Sequence, residues 1–348
     1  MSTPRIDVGV LGATGMVGQQ FVRQLAGHPW FNLTWLAASE RSEGRAYGDA
    51  AAWRLATPMP EGVERMRVEA CTPGRGPALV FSALDAGAAQ HIEIEFARAG
   101  HIVVSNARTW RMDRLVPLLI PEVNPDHLAL LPAQRREKSW RGAIVTNPNC
   151  STVVLAMALA PLRRFDIEAV VVTTMQAISG AGYPGVPSLD VVGNVIPGIA
   201  GEEDKIESET QKILGSLQGP HPMTVSAQTH RVPVVDGHTE AISVRFRQAV
   251  DTDAVVEAFS SFRGRPQDLS LPTAPSTPIL HVDQPHRPQP RLDAERHGGM
   301  AVTVGRVRRC PVLGTKFVAL GHNTIRGAAG AAVLNAELMA AEGLLQGD

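Results

Sequence analysis

The sequence predicts an α/β chain: a parallel sheet with helices on both faces, followed by a mostly antiparallel α+β region. Three observations carry this. Short runs rich in Val, Ile and Leu recur through the first 150 residues, as strands buried on both faces require. The first run feeds a glycine-rich turn and then a helical repeat. Beyond residue 150 the strands include an alternating one, the mark of a sheet with one packed and one open face. The 348 residues allow two domains with sizeable cores.

Taken in order, Arg5-Ile6-Asp7-Val8-Gly9-Val10-Leu11 is the first strand. Gly12-Ala13-Thr14-Gly15-Met16-Val17-Gly18 follows, and Val17, Phe21 and Leu25 recur at helical spacing. A helix therefore starts inside the glycine stretch. Strand, glycine turn and helix together form the setting in which a dinucleotide pyrophosphate rests on a helix N-terminus. The spacing is GxxGxxG rather than GxGxxG, so a turn serving only close packing is the alternative. A second strand, residues 33–38, runs into Ser39-Glu40-Arg41-Ser42. Two hydroxyls and a planar guanidinium suit a ribose 2′-phosphate. Glu40 leaves open the carboxylate–ribose contact of NAD-binding chains.

Residues 78–82 and 102–105 are further buried strands. Ligands bind outside the carboxyl ends of such strands, which brings Ser82, Arg108 and Arg111 toward a site. Arg135-Arg136-Glu137-Lys138 reads as a solvated loop. Gly142-Ala143-Ile144-Val145 is a strand, Asn147-Pro148-Asn149 a turn, and residues 152–159 a buried helix. Cys150 then stands on the first helical turn, where free N–H groups and the helix dipole favour a thiolate. A buried structural cysteine is the bland alternative.

Residues 169–175 form a strand that leads into a glycine-rich loop, Gln176 to Tyr183. Glu202 opens a charged helix reaching about Leu214, which by spacing reads as a solvated face. Residues 238–246 alternate as a half-exposed strand. Residues 272–290 form a proline-rich connection. Strands follow around Val302 and at 316–320, and an Ala-rich helix, apolar on one face, closes the chain at about 323–342. The open face of this second region needs a cover, and a partner subunit is the expected one.

Bulk properties narrow the function classes. A net charge of -1 gives no electrostatic footprint for nucleic acid or an anionic membrane. Three scattered cysteines form neither a disulfide framework nor a metal pattern, and suit a reducing cytoplasm. The first residues carry no apolar signal core, and no run is long enough to span a bilayer. Arg231-Val232-Pro233-Val234-Val235-Asp236-Gly237-His238 sets an arginine and a histidine on either side of an Asp-Gly turn. Histidine suits proton transfer near neutrality, and His230 is a nearby rival.

These motifs together, with Gln176-Ala177-Ile178-Ser179-Gly180 and Asn323-Thr324-Ile325-Arg326-Gly327, resemble the aspartate-semialdehyde dehydrogenases, in their archaeal and fungal-type branch. The resemblance runs in order over nearly the whole chain. It implies a Rossmann-type NADP-binding domain, residues 1–149 plus 321–348, and an α+β catalytic and dimerisation domain, residues 150–320. It implies Cys150 as nucleophile and His238 as acid/base. Asn149, Gln176, Glu202 and Arg231 would contact the amino-acid substrate, with Arg231 on its α-carboxylate, and Arg111 and Lys205 would hold phosphate. Gly12, Thr14, Gly15, Met16, Val17, Ser39, Arg41, Ser42, Ser82, Ser179, Gly180 and Asn323 would bind NADP. The implied reaction is NADPH-dependent reduction of 4-phospho-L-aspartate to aspartate semialdehyde through a cysteine thioester, in a homodimer or dimer of dimers. Malonyl-CoA reductase, which shares the branch, and a catalytically silent NADP-binding regulator are the alternatives.

If residues 39–42 read a 2′-phosphate, Arg41→Ala should raise the KM for NADP and barely move that for NAD. Steady-state kinetics with both cofactors checks this; a wild-type chain faster with NAD at equal concentration contradicts it.

Overall fold

The computed structural model describes residues 5–345; residues 1–4 and 346–348, the two ends of the expected NADP-binding domain, lie outside the described residues. The first sheet has six strands: β1 (Ile6–Leu11), β2 (Phe31–Ala38), β3 (Val68–Ala70), β4 (Leu79–Ser82), β5 (Ile102–Ser105) and β6 (Ala143–Thr146). Their order is β3-β2-β1-β4-β5-β6, and every pairing is parallel. Every residue of β4, β5 and β6 is buried, which is why these segments read as unbroken apolar runs. The strand order reverses direction between β1 and β4, so a crevice opens at their carboxyl ends. Gly12 lines that crevice with φ +72°, and a Cβ there would lie 2.8 Å from the Ala83 carbonyl oxygen. A Cβ on Gly18 would stand 2.2 Å from the Gly12 oxygen. These two glycines are therefore required by packing. Gly15, exposed and with nothing nearer than 3.6 Å, is not.

The second sheet has seven strands in the order β11-β12-β13-β10-β7-β9-β8. They are β7 (Ile167–Gln176), β8 (Ile196–Pro197), β9 (Thr224–Arg231), β10 (His238–Phe246), β11 (Ile279–Val282), β12 (Val302–Cys310) and β13 (Gly314–Gly321). Pairing is mostly antiparallel, with β7–β9 and β11–β12 parallel. One face is covered by the helices Cys150–Leu159, Glu202–Leu214 and Thr252–Ser261. The other is the expected open face: Val171, Thr173, Ala241, Ser243 and Lys316 line a shallow groove, with Val171 45% exposed.

Four expectations are corrected. Residues 135–138 belong to a helix, Leu131–Lys138, because the buried Gln134 side chain bonds Leu115 O and both the N–H and C=O of Ile144. The proline-rich connection contains β11, whose short length hid it. The closing helix is not amphipathic. It begins as a π turn, Ile325–Ala329, and Gly330–Ala341 is buried on every side as far as Met339, packed against the first sheet. Even its Asn335 and Glu337 are fully buried, with Asn335 bonded to Asn147 and Glu337 to His28. The helix Glu202–Leu214 is not a solvated face, since Glu202, Glu209 and Thr210 are buried. The strand β9 and the helix Ala86–Ala99 had no place in the sequence reading.

Within the π turn, Arg326 is fully buried and meets Glu122 through two hydrogen bonds of 2.8 Å each. Among the described residues no helix is long and apolar enough to cross a membrane, and no cluster of His, Cys, Asp or Glu is arranged to hold a metal ion.

Removing one partner of a buried ion pair strands the other charge. Glu122→Ala should cost about 3–5 kcal/mol, read as a lower urea midpoint; an unchanged midpoint would refute this.

Candidate active site

The turn after β6 is held from several sides. Asn147 donates to Ala328 O (2.9 Å) and accepts from Asn335 Nδ2 (2.6 Å). Asn149 is the N-cap: its Oδ1 accepts from the N–H groups of Ser151 (3.0 Å) and Thr152 (3.2 Å). Cys150 is the first residue of the helix, as the sequence predicts. The π turn reaches up against it. A Cβ on Gly327 would lie 2.6 Å from the Cys150 Cβ, so only glycine fits.

The Cys150 Sγ is 3.2 Å from His238 Nε2. His238 opens β10 directly after Gly237, whose φ of +96° makes the Asp-Gly turn and whose N–H donates to Asn323 Oδ1 at 2.8 Å. The N–H of Ala177 donates to His238 Nδ1 at 3.1 Å. Nδ1 is thereby an acceptor, so the ring proton sits on Nε2 and points at sulfur. To take a proton from the thiol at Nε2, the ring must give up the Ala177 bond. His230 is one residue from Arg231, so it projects from the opposite face of β9.

Burial sets the charge states. It pushes the Cys150 thiol up to about 12; the Glu202 carboxylate adds to this, while Arg111, Arg231 and the Ser151 N–H oppose it. The thiolate that the helix N-terminus predicts is therefore not the resting state, because desolvation outweighs the helix end. Burial, then Arg231 and His322, brings His238 down to about 3, so the imidazole is neutral.

Around this pair stand the charged groups. Arg231, paired in register with Gln176, donates from Nη1 to Ala177 O at 2.7 Å. Gly180 lies over both: a Cβ there would come 3.0 Å from Arg231 Nη1 and 3.1 Å from His238 Cε1. Glu202 accepts from Asn149 Nδ2 and pairs with Lys205 at 3.0 Å. Arg111 is buried, 3.0 Å from Glu209. Lys212 Nζ donates to the carbonyls of Arg111 (2.6 Å), Asp113 (2.8 Å) and Val116 (3.0 Å). Glu209 and Lys212 were absent from the sequence reading. Their signal is spacing: 202, 205, 209 and 212 follow i, i+3, i+7, i+10, one face of a helix.

Two clefts flank the start of the helix Met16–Leu25. One, about 510 Å³, is lined by Gly12, Thr14, Gly15, Ser39, Glu40 and Cys71 among others. The other, about 320 Å³, is lined by Met16, Arg54, Ser179, His322 and Thr324 among others. No side chain caps this helix at Gly15, which leaves its first N–H groups for an anion. Arg41 is exposed and Ser42 buried at the turn beyond Glu40. Ser82 is fully buried beside Glu93, while its neighbours Ala83 and Leu84 line the cleft. Asn323 Nδ2 donates to Ser179 Oγ at 2.8 Å. Gln19 ties the glycine turn to the next loop: its amide donates to Thr14 O and Ala52 O and accepts from the Arg54 N–H. The Arg54 guanidinium, which lines the second cleft, lies 3.5 Å over the exposed Tyr183 ring.

Residues 7–131 match the family model described as semialdehyde dehydrogenase, NAD binding domain, and residues 159–326 the one described as semialdehyde dehydrogenase, dimerisation domain. An aspartate-semialdehyde dehydrogenase of Archaeoglobus fulgidus is 50% identical over 346 residues, covering 98% of this chain and 100% of that protein. One of Saccharomyces cerevisiae is 45% identical over 358 residues, covering 97% and 98%. Among solved structures, aspartate semialdehyde dehydrogenase with NADP from Candida albicans aligns with a TM-score of 0.90 at 42% identity, over 98% of this chain and 100% of that one.

A thiol held protonated reacts with alkylating agents only through its thiolate fraction. Iodoacetamide labelling of Cys150 in the ligand-free protein should therefore rise about tenfold per pH unit from roughly pH 7 to 9. Peptide mapping follows it apart from Cys71 and Cys310; a plateau near neutrality would reveal a preformed thiolate.

Proposed function

The chain belongs to the aspartate-semialdehyde dehydrogenase family, and we propose that it catalyses the NADPH-dependent reductive dephosphorylation of 4-phospho-L-aspartate to L-aspartate 4-semialdehyde. The observation that carries this is the Cys150–His238 contact of 3.2 Å, flanked by Arg231, Glu202 and Arg111. Arg231 takes the α-carboxylate through its planar fork, with Gln176 and Asn149 beside it. Glu202 takes the ammonium. That pairing cancels a carboxylate charge which otherwise raises the thiol, so substrate binding helps form the nucleophile. Arg111 and Lys205 hold the phosphoryl group and stabilise it as it leaves.

The Cys150 thiol passes its proton to His238 Nε2, in the tautomer released from Ala177, as the sulfur adds to the acyl carbon. The bond from that carbon to the phosphate oxygen breaks, phosphate leaves, and a thioester remains. NADPH, when bound, supplies the hydride that reduces it. The aldehyde departs as the carbon–sulfur bond breaks, and the proton held at His238 Nε2 returns to the departing sulfur, restoring thiol and neutral imidazole. The residues fit the cofactor: an uncapped helix start at Met16 and Val17, and a cleft through Gly12, Thr14, Gly15 and Ser39. Arg41 and Ser42 are the proposed 2′-phosphate contacts, and Ser179, Gly180 and Asn323, which stand beside the Cys150–His238 pair, would help hold the nicotinamide end. Ser82, being buried, is assigned a backbone contribution only.

We divide the chain into residues 1–149 plus 321–348 and residues 150–320, and place a homodimer, or a dimer of dimers, on the open face of the second sheet. Free cysteines at 71, 150 and 310 suit the cytoplasm. Malonyl-CoA reduction leaves Glu202 without an ammonium to bind, and a silent regulator has no use for the Cys150–His238 pair.

The test is an assay with two acyl partners. Wild type should oxidise aspartate semialdehyde with phosphate and NADP and leave malonyl-CoA unreduced; the opposite preference sinks the proposal. Cys150→Ser should lose most activity yet still bind NADP. Arg231→Lys should cost about 1–3 kcal/mol in kcat/KM, the range for a charged hydrogen bond.

A further inference from the structure

Glu209 touches neither proposed substrate group, yet it joins two elements on which acyl transfer depends. It lies on the helix Glu202–Leu214 and is 2% exposed. One carboxylate oxygen sits 3.0 Å from Arg111 Nη1. The other accepts the N–H of Asn149 at 2.6 Å. Asn149 immediately precedes the nucleophile and caps its helix. Its side-chain amide donates to Glu202, two turns earlier on the same helix. The residue before Cys150 is thus held twice by one helix, at its backbone and at its side chain.

Arg111 is held as firmly. Its Nη2 donates to Asn106 O at 2.9 Å, and its own carbonyl accepts from Lys212. A buried carboxylate engaged by a guanidinium and a backbone N–H makes charge-assisted bonds at both oxygens. Such a bridge fixes how far the guanidinium stands from the thiol.

We propose that Glu209 is the positioning residue of the acyl-phosphate site, setting the separation between Arg111 and Cys150. This rests on the reading of Arg111 as a phosphate contact. An amide at position 209 has one acceptor oxygen, so it can satisfy Asn149 or Arg111 but not both, and its NH₂ faces a donor. Arg111 then loses its fixed place, and the phosphate meets a guanidinium displaced from the line of attack. Misplacement of about 1 Å is enough to lower a rate by about a hundredfold.

The experiment measures phosphate-dependent oxidation of aspartate semialdehyde by wild type, Glu209→Gln and Glu209→Asp, with NADP binding followed separately by fluorescence. Both variants should show a phosphate KM raised by about tenfold or more and a reduced kcat, with NADP affinity within about twofold of wild type. Asp keeps the charge but is one methylene shorter, so it reaches one partner; it also serves if the Gln variant fails to fold. Wild-type oxidation that ignores phosphate would overturn the reading of Arg111, and with it this proposal. Phosphate-dependent wild type with an unchanged phosphate KM in a folded variant overturns the role of Glu209 alone. An equal loss of phosphate and NADP affinity marks general loosening and also overturns it.

Discussion

The absence of a side chain at residue 327 governs where the Cys150 sulfur can be. The helix that begins at Cys150 packs on the second sheet, and the chain returning from β13 must pass against its first turn. A methyl group at Gly327 would overlap the Cys150 Cβ and come within 2.9 Å of its Cα. Neighbouring crossings are as tight: a Cβ on Gly321 would lie 2.7 Å from Val154 Cγ2, and one on Gly330 2.5 Å from the Met300 sulfur. The backbone passes this point as a π turn, a local widening of the helix often found at functional sites. Arg326, inside that turn, is anchored on Glu122. Consecutive residues of one backbone segment thus hold the buried ion pair and pack against Cys150.

Much of this was legible in the residues. The first sheet announced itself because strands buried on both faces leave no room for polar residues. Cys150 and His238 could be picked out because each sits at a turn whose chemistry, Asn-Pro-Asn and Asp-Gly, is local. The strand β9 was hidden because Thr224, Ser226, Gln228 and Thr229 give its alternation too little hydrophobic contrast. The helix at Glu202 misled for a related reason. Charge is read as exposure, yet Glu202 and Glu209 are buried with partners drawn from residues 111 and 149, and no local pattern names partners so distant.

The thiol is the sharper lesson. A helix N-terminus and two arginines favour thiolate, and these are visible in the sequence once a fold is assumed. How much protein surrounds the sulfur is not, and that term decides the balance. Neutral imidazole beside it follows from the same desolvation, and the Ala177 N–H fixes which nitrogen bears the proton. The site at rest is electrically quiet at its centre, ringed by the Arg111–Glu209 and Lys205–Glu202 pairs and by Arg231, which is held on a carbonyl oxygen.

The contact of Arg54 with Tyr183 joins two surface loops only weakly. It is the stacking of a guanidinium on an exposed ring, an interaction worth about 0.5–1 kcal/mol where water competes. Such a contact favours the stacked arrangement only about two- to fivefold, so it forms and breaks readily. Arg54 belongs to a loop that Gln19 ties to the glycine turn, so one side of this weak contact is anchored to the backbone that opens the first helix.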